Sequence, residues 1–357
     1  MPNINIPFRN YEDEVFLNLI NVQRPGDIVH AFGEFMIVPT EDAAKRHQYM
    51  GECMSSWLEL LNEIKTAGSP HDRVRRKYLK RLSEQTGRNV IVYYSGWLDK
   101  AYLANQAGNV FSINDSDKNG FMAAIHKLDR NLGLDLVLHT PGGSIAATES
   151  LVDYLRKMFN NNIRAIIPQI AMSAGTMISL SCDEIVMGKH SNLGPIDPQI
   201  ANLPAHGILE EVEQAKKEIV ANPQLQGFWI PILQKYSPSL IGECDKAIRW
   251  SDQVVKKWLC TGMFKDDKDK ETKADRIIQE MGNHAMTLSH SRHLSFEDIR
   301  ALDINVTELE ENQDLQDAVL CVHHTCIQTI NMTNAVKVIE NQNGVGQILS
   351  IGPPPQI

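Results

Sequence analysis

Residues 163–189 read IRAIIPQIAMSAGTMISLSCDEIVMGK. The β-branched run ending at Pro168 predicts a buried strand over 164–168. The small residues Ala171, Ser173, Ala174, Gly175 and Thr176 then predict a turn into a short helix over 174–182, and EIVM at 184–187 predicts the next strand. Working outward, apolar runs at 89–94 and 135–139 predict further strands, and 119–130 and 144–159 predict helices. Strands alternating with helices at this spacing indicate an α/β fold with a largely parallel sheet.

The flanking regions read differently. Residues 1–86 look mostly helical after an irregular start, with Trp57, Leu58, Leu60, Leu61 and Ile64 on one helical face. In 71–88 seven Lys/Arg stand against two Asp/Glu. That excess reads as a solvated helix face with Val74, Tyr78, Leu79 and Leu82 inward, or as a patch for an anionic partner. Residues 201–357 look mainly helical: Ile208, Val212, Ala215 and Ile219 form one stripe, and a long helix is predicted over 312–340. Residues 265–276 hold ten charges in twelve positions and predict an exposed loop or helix start. After Asn343 the chain is Gly/Pro-rich and is expected to be extended or loosely docked. The division expected is therefore 1–86, 87–342 and 343–357.

Composition bounds the function. The 357 residues are 43% hydrophobic and 22% charged, which excludes a disordered chain and allows a core without disulfide or metal staples. A net charge of −9 argues against a nucleic-acid partner. Six cysteines form no CxxC pair and read as reduced. Cys321 and Cys326 of CVHHTC diverge by about 140° on a helix, so no metal site is expected there. No Walker A sequence is present, and no cofactor is expected. The start MPNINIPFRNYEDEV has neither a basic nor an apolar leader region, and no apolar run is long enough to span a membrane, so a cytoplasmic location is expected.

Two segments carry chemistry. In LDLVLHTPGGSIAATESLVDYLRK, 134–157, a buried strand ends at Thr140 and a helix begins near Ser144. Gly142 and Gly143 between them permit close backbone approach, and amides at such a turn can hold an anion or oxyanion. In the second segment Ser173 falls at a helix N-terminus. It is either an N-cap or a nucleophile served by the amide of Ala174. The surroundings depart from the G-x-S-x-G elbow, because Ala171 stands in place of the first Gly.

Taken together, HTPGG at 139–143, PQIAMSAGTMISLSCDEIVMGKHSNLGPIDPQ at 168–199 and SHSRHLSFEDIRALDINV at 289–306 resemble the serine dehydrogenase proteinase family. These are relatives of Clp protease and signal peptide peptidase A. The resemblance implies a ClpP/crotonase-like spiral of β-β-α units with helical additions at both ends. It implies a serine endopeptidase with Ser173, Asp197 and His290 as triad and Gly142, Gly143 and Ala174 as oxyanion hole. His293 is the alternative histidine. The Clp-type base is missing from NLGPIDP at 192–198, and Asp303 stands where the family has Gly. A Ser–Lys dyad through Lys216, Lys217 or Lys189 is the mechanistic rival. A crotonase-type acyl-CoA enzyme and a non-catalytic oligomeric scaffold are the functional ones. The resemblance also implies a peptide or protein substrate and a homo-oligomer that encloses its sites; a peptidase free in the cytoplasm must have its site shielded by that assembly or held inactive by a regulatory protein partner.

Overall fold

The computed structural model describes residues 57–352 apart from 67–70 and 201–202. The chain divides into two compact units at Cys53/Met54, and only the second contains described residues. The irregular start expected before residue 57 therefore lies outside them.

The strands in chain order are β1 (Asn89–Ser95), β2 (Leu134–His139), β3 (Ile163–Ile167), β4 (Ile170–Ala171), β5 (Glu184–Met187), β6 (Asn192–Leu193), β7 (Gln199–Ile200), β8 (Leu203–Pro204), β9 (Val306–Glu308), β10 (Ala335–Asn341) and β11 (Gly346–Ser350). One sheet runs β11-β10-β1-β2-β3-β5-β9. Its members β1, β2, β3, β5 and β9 are parallel, while β10 and β11 continue it antiparallel. The protein is thus α/β with a mostly parallel central sheet.

Both faces of the sheet are covered, as a parallel sheet requires. Ile91, Tyr93, Leu136, Leu138, Ala165, Ile167 and Ile185 face a core shared with the helices Asp117–Ile125, Ile145–Phe159, Ala174–Leu180 and Leu240–Thr261. The alternate residues Val90, Val92, Tyr94, Val137, Ile166 and Val186 face helices Trp57–Thr66, His71–Thr86 and Gln313–Met332. The period of two therefore sorts the strands cleanly.

Two expectations are corrected. Helix His71–Thr86 packs on the sheet core rather than forming part of a separate extension. Its Val74, Tyr78, Leu79 and Leu82 are buried as expected, but so is Arg75, which donates to Glu340, Thr329 and Asp72 at 2.8 Å each. The long helix ends at Met332, and 335–341 is a strand. AVKVIEN alternates its faces, with Val336 and Val338 on one side and Ile339 on the other, which no helix accommodates. The segment after Asn343 is extended and supplies edge strand β11. Elsewhere Leu60 is buried, and the charged 265–276 stretch leads into helix Lys270–Gly282.

His139, which closes β2, points to the face away from the Ser173 helix. It stacks on Tyr94 at a ring distance of 5.3 Å, lies tilted against Trp97 at 4.5 Å and meets His323 edge-on at 5.6 Å. Neither ring nitrogen has a hydrogen-bond partner among the described residues. Burial pushes its pKa down to about 3, and burial also pushes the neighbouring His323 well down. These imidazoles stay neutral in the folded chain while unfolded histidines bind protons below about pH 6.5. The unfolded state then carries more protons, so stability falls as pH drops from 6.5 toward 3. His139 alone is expected to contribute a loss of about 2 kcal/mol by pH 5. Urea unfolding at pH 7 and pH 5 checks this. His139→Phe should lose less stability over that interval than the wild type, and equal losses would refute the assignment.

Candidate active site

Two strand-to-helix turns meet at the ends of β2 and β3. The chain extends β2 by Thr140, whose N–H donates to Ile170 O at 3.2 Å and whose carbonyl accepts from Met172 N at 2.9 Å. This ladder draws the PGG turn against β4 and the Ser173 turn. Gly142 has φ +96°, and a Cβ there would lie 2.7 Å from both the Met172 carbonyl and the Ser173 Cβ. Gly175 lets the Ser173 helix approach equally closely, since a Cβ there would lie 2.5 Å from Thr140 Cγ2.

The two serines at these turns behave differently. Ser144 is an ordinary N-cap: its backbone is extended and its side chain accepts from Ala147 N. Ser173 has φ 51° and ψ −115°, and its side chain makes no capping bond. A non-glycine residue at positive φ is a costly conformation that packing must impose, and such strain concentrates at functional sites. Among the described residues its hydroxyl has no hydrogen-bond partner. The amides of Gly143 and Ala174 likewise have no partner among the described residues.

Asp197 and His290 are brought together. Asp197 is fully buried, fixed by flanking bonds from Ile196 N to Met281 O and from Ala205 N to Pro198 O, both 2.9 Å. The His290 loop is tied to β6 by a two-way pairing of Leu193 with Leu294 at 3.0 and 2.8 Å. His290 Nδ1 then sits 2.8 Å from Asp197 Oδ1. An imidazole facing a carboxylate carries its proton on that nitrogen, which leaves Nε2 as the basic one. Asp197 Oδ2 accepts from Gln199 Nε2 at 2.8 Å, and His284 Nδ1 lies 3.3 Å from it. Nearby His206 has a lowered pKa because burial outweighs the pull of Asp197 and Glu210.

Ser173, Gly142, Gly143, Asp197 and His290 line one cavity of about 830 Å³. Met177, Ile196 and Trp250 add apolar wall, and Trp250 Nε1 donates to Glu149 at 2.9 Å. A second cavity of about 430 Å³ shares Pro141, His290 and Ser291 with the first and is lined further by Trp97, Met172, His190 and His293. No group of three or more His, Cys, Asp or Glu among the described residues is arranged to hold a metal.

The remaining sequence candidates lie elsewhere. Lys189 is 65% exposed and paired with Glu308 at 3.0 Å, which raises its pKa, the opposite of what a neutral base requires. Lys216 is equally exposed and bonded to Glu213, and Lys217 is exposed beside it. His293 is exposed and faces the second cavity. Sequence reasoning missed Gln199, His284 and Trp250. Only Gln199 carries a local signal, two residues after Asp197.

A strained serine at a helix tip, two unpartnered amides and an Asp–His pair around one cavity are the parts used in nucleophilic acyl transfer. The chain belongs to the ClpP-like SDH-type serine proteinases, whose family model matches residues 58–315. It is 29% identical over 232 residues to an uncharacterized protein of Methanocaldococcus jannaschii, covering 65% of this chain and 71% of that one. It is 34% identical over 140 residues to a second uncharacterized protein of that organism, covering 39% and 48%. A third relative there bears a provisional protease name and is 23% identical over 138 residues, covering 36% and 44%. The chain thus spans under half the length of the latter two. No solved structure matches it. Among the described residues no helix is long and apolar enough to cross a membrane.

Proposed function

We propose that the protein is a serine endopeptidase working through an acyl-enzyme on Ser173. The observation that carries this reading is the Ser173 turn: positive φ, no cap bond, and the free amides of Gly143 and Ala174 beside it. Family membership supports a protease in general. His290 Nε2 takes the proton of the Ser173 hydroxyl as it attacks the scissile carbonyl. Asp197 holds the tautomer and stabilises the imidazolium. The Gly143 and Ala174 amides receive the oxyanion, with Gly142 setting their approach. His290 then protonates the leaving amine, and water hydrolyses the ester by the reverse path. Ser173 and His290 line the same cavity, and a Ser–His hydrogen bond of this kind forms or tightens when substrate binds. The surface-paired lysines lend no support to a Ser–Lys dyad.

The same reading extends to the architecture and setting. The small β4–β6 pair set against the main sheet is read as one ridge of a ClpP/crotonase-like spiral. The protein acts in the cytoplasm as a homo-oligomer that encloses its sites and answers to a regulatory protein partner.

Treatment of the full chain with a fluorophosphonate tests the mechanism. The expected result is a single adduct on Ser173 and matching loss of peptide hydrolysis. Peptide hydrolysis by a folded chain that forms no Ser173 adduct would overturn it.

A further inference from the structure

The central sheet contains a buried ion pair that the chemistry above leaves unused. Lys337 of β10 and Asp117 are both fully buried, 2.7 Å apart. Two desolvated charges are a poor source of stability compared with apolar residues of the same size. Apart from the Tyr93 hydroxyl, their other bonds run to one short backbone segment. Lys337 Nζ also donates to Ser112 O at 2.9 Å. Asp117 Oδ2 accepts from Asn114 N at 3.1 Å and from the Tyr93 hydroxyl at 2.8 Å. One residue earlier, Ser95 donates to Phe111 O at 2.7 Å. Residues 111–114 are therefore held on both sides of Ile113.

Ile113 is the residue on which the PGG turn is built. Its N–H donates to Gly142 O at 2.7 Å, and its carbonyl accepts from Ser144 N at 2.9 Å. Gly143 lies between these bonds, so close that a Cβ there would fall 2.3 Å from the Ile113 carbonyl oxygen. With its two neighbours committed to Ile113, the Gly143 amide is turned away from it.

We propose that Lys337, together with Asp117, is a positioning residue that fixes the oxyanion-binding amide of Gly143 through the backbone of 112–114. This rests on the reading of that amide as an oxyanion donor. Lys337 lies beyond the residues the family model matches. Misplacing a transition-state donor by about 1 Å is enough to cost about a hundredfold in rate.

The test uses the purified full chain, a fluorogenic peptide and a peptide aldehyde, whose adduct places an oxyanion at the same amides. Lys337→Met combined with Asp117→Asn removes both charges and leaves no unpaired ion. It should lower kcat about 30-fold, leave KM within about twofold and weaken the aldehyde by the factor lost from kcat. Tyr93→Phe removes one hydroxyl and no charge, so it keeps the test valid if the double variant fails to fold. It should lower kcat and aldehyde affinity together, by about threefold. A wild-type chain without peptidase activity overturns the functional reading and this inference with it. An active wild type whose folded variants keep wild-type kcat and aldehyde affinity overturns this inference alone.

Discussion

Replacement of Ser173 by alanine is expected to lower kcat for a peptide by about 10⁵-fold while leaving the fold intact. The size follows from the role: without the hydroxyl no acyl-enzyme forms, and only the amides and the binding surface still assist water. The stability expectation follows from the contacts. The Ser173 hydroxyl has no hydrogen-bond partner among the described residues, so its removal strands no donor or acceptor. Alanine at φ 51° is as strained as serine, so the backbone cost cancels between the two chains. The change in unfolding free energy should stay within about 0.5 kcal/mol. Long-term peptide hydrolysis followed by mass spectrometry, beside urea unfolding, measures both. A variant that keeps even a tenth of wild-type kcat would remove Ser173 from the chemistry.

Asp197→Asn should cost about 10⁴-fold in kcat with little change in KM. The carboxylate accepts from His290 on one oxygen and from Gln199 on the other. An amide has one acceptor end and one donor end, so it cannot serve both. If its oxygen stays with Gln199, its NH₂ faces His290 Nδ1, and the imidazole proton moves to Nε2. That nitrogen then donates where the reaction needs a base. If its oxygen turns to His290 instead, the amide NH₂ confronts Gln199 and the loop must shift. Either outcome disables the base, and the loss should appear in the pH–rate profile as well as in the rate. A variant within threefold of wild type would reduce Asp197 to a turn residue.

The legible parts of this chain were those whose demands are local. IRAII, EIVM and the glycines of HTPGG declare themselves because strand burial and close backbone approach restrict residue type within a few positions. The strained turn at Ser173 was visible as small residues after a strand, although the sequence alone could not distinguish it from the capping serine at 144. Asp197 and His290 came from resemblance, because the bond between them depends on the Leu193–Leu294 pairing across the fold. His284 shows why the rest was hidden: nothing near it in sequence announces a carboxylate. β10 was misread as the end of a helix for a related reason. Lys337 and Glu340 look like an exposed polar face until their partners Asp117, Arg75 and Arg76 are known.

The sheet order has a consequence for how the molecule comes into being. β1 is the first described strand, yet it lies between β2 and the late strand β10. The register Ile91↔Asn341 joins segments separated by nearly the whole described chain. Closing so long a loop is slow compared with forming the neighbouring β2–β3 and β3–β5 pairs. A chain emerging from a ribosome can fold the Ser173 and PGG turns while β1 still has an open edge and Lys337 is unmade. Completion of the sheet waits for β10, so the buried Lys337–Asp117 pair is added after the turns it lies behind in sequence.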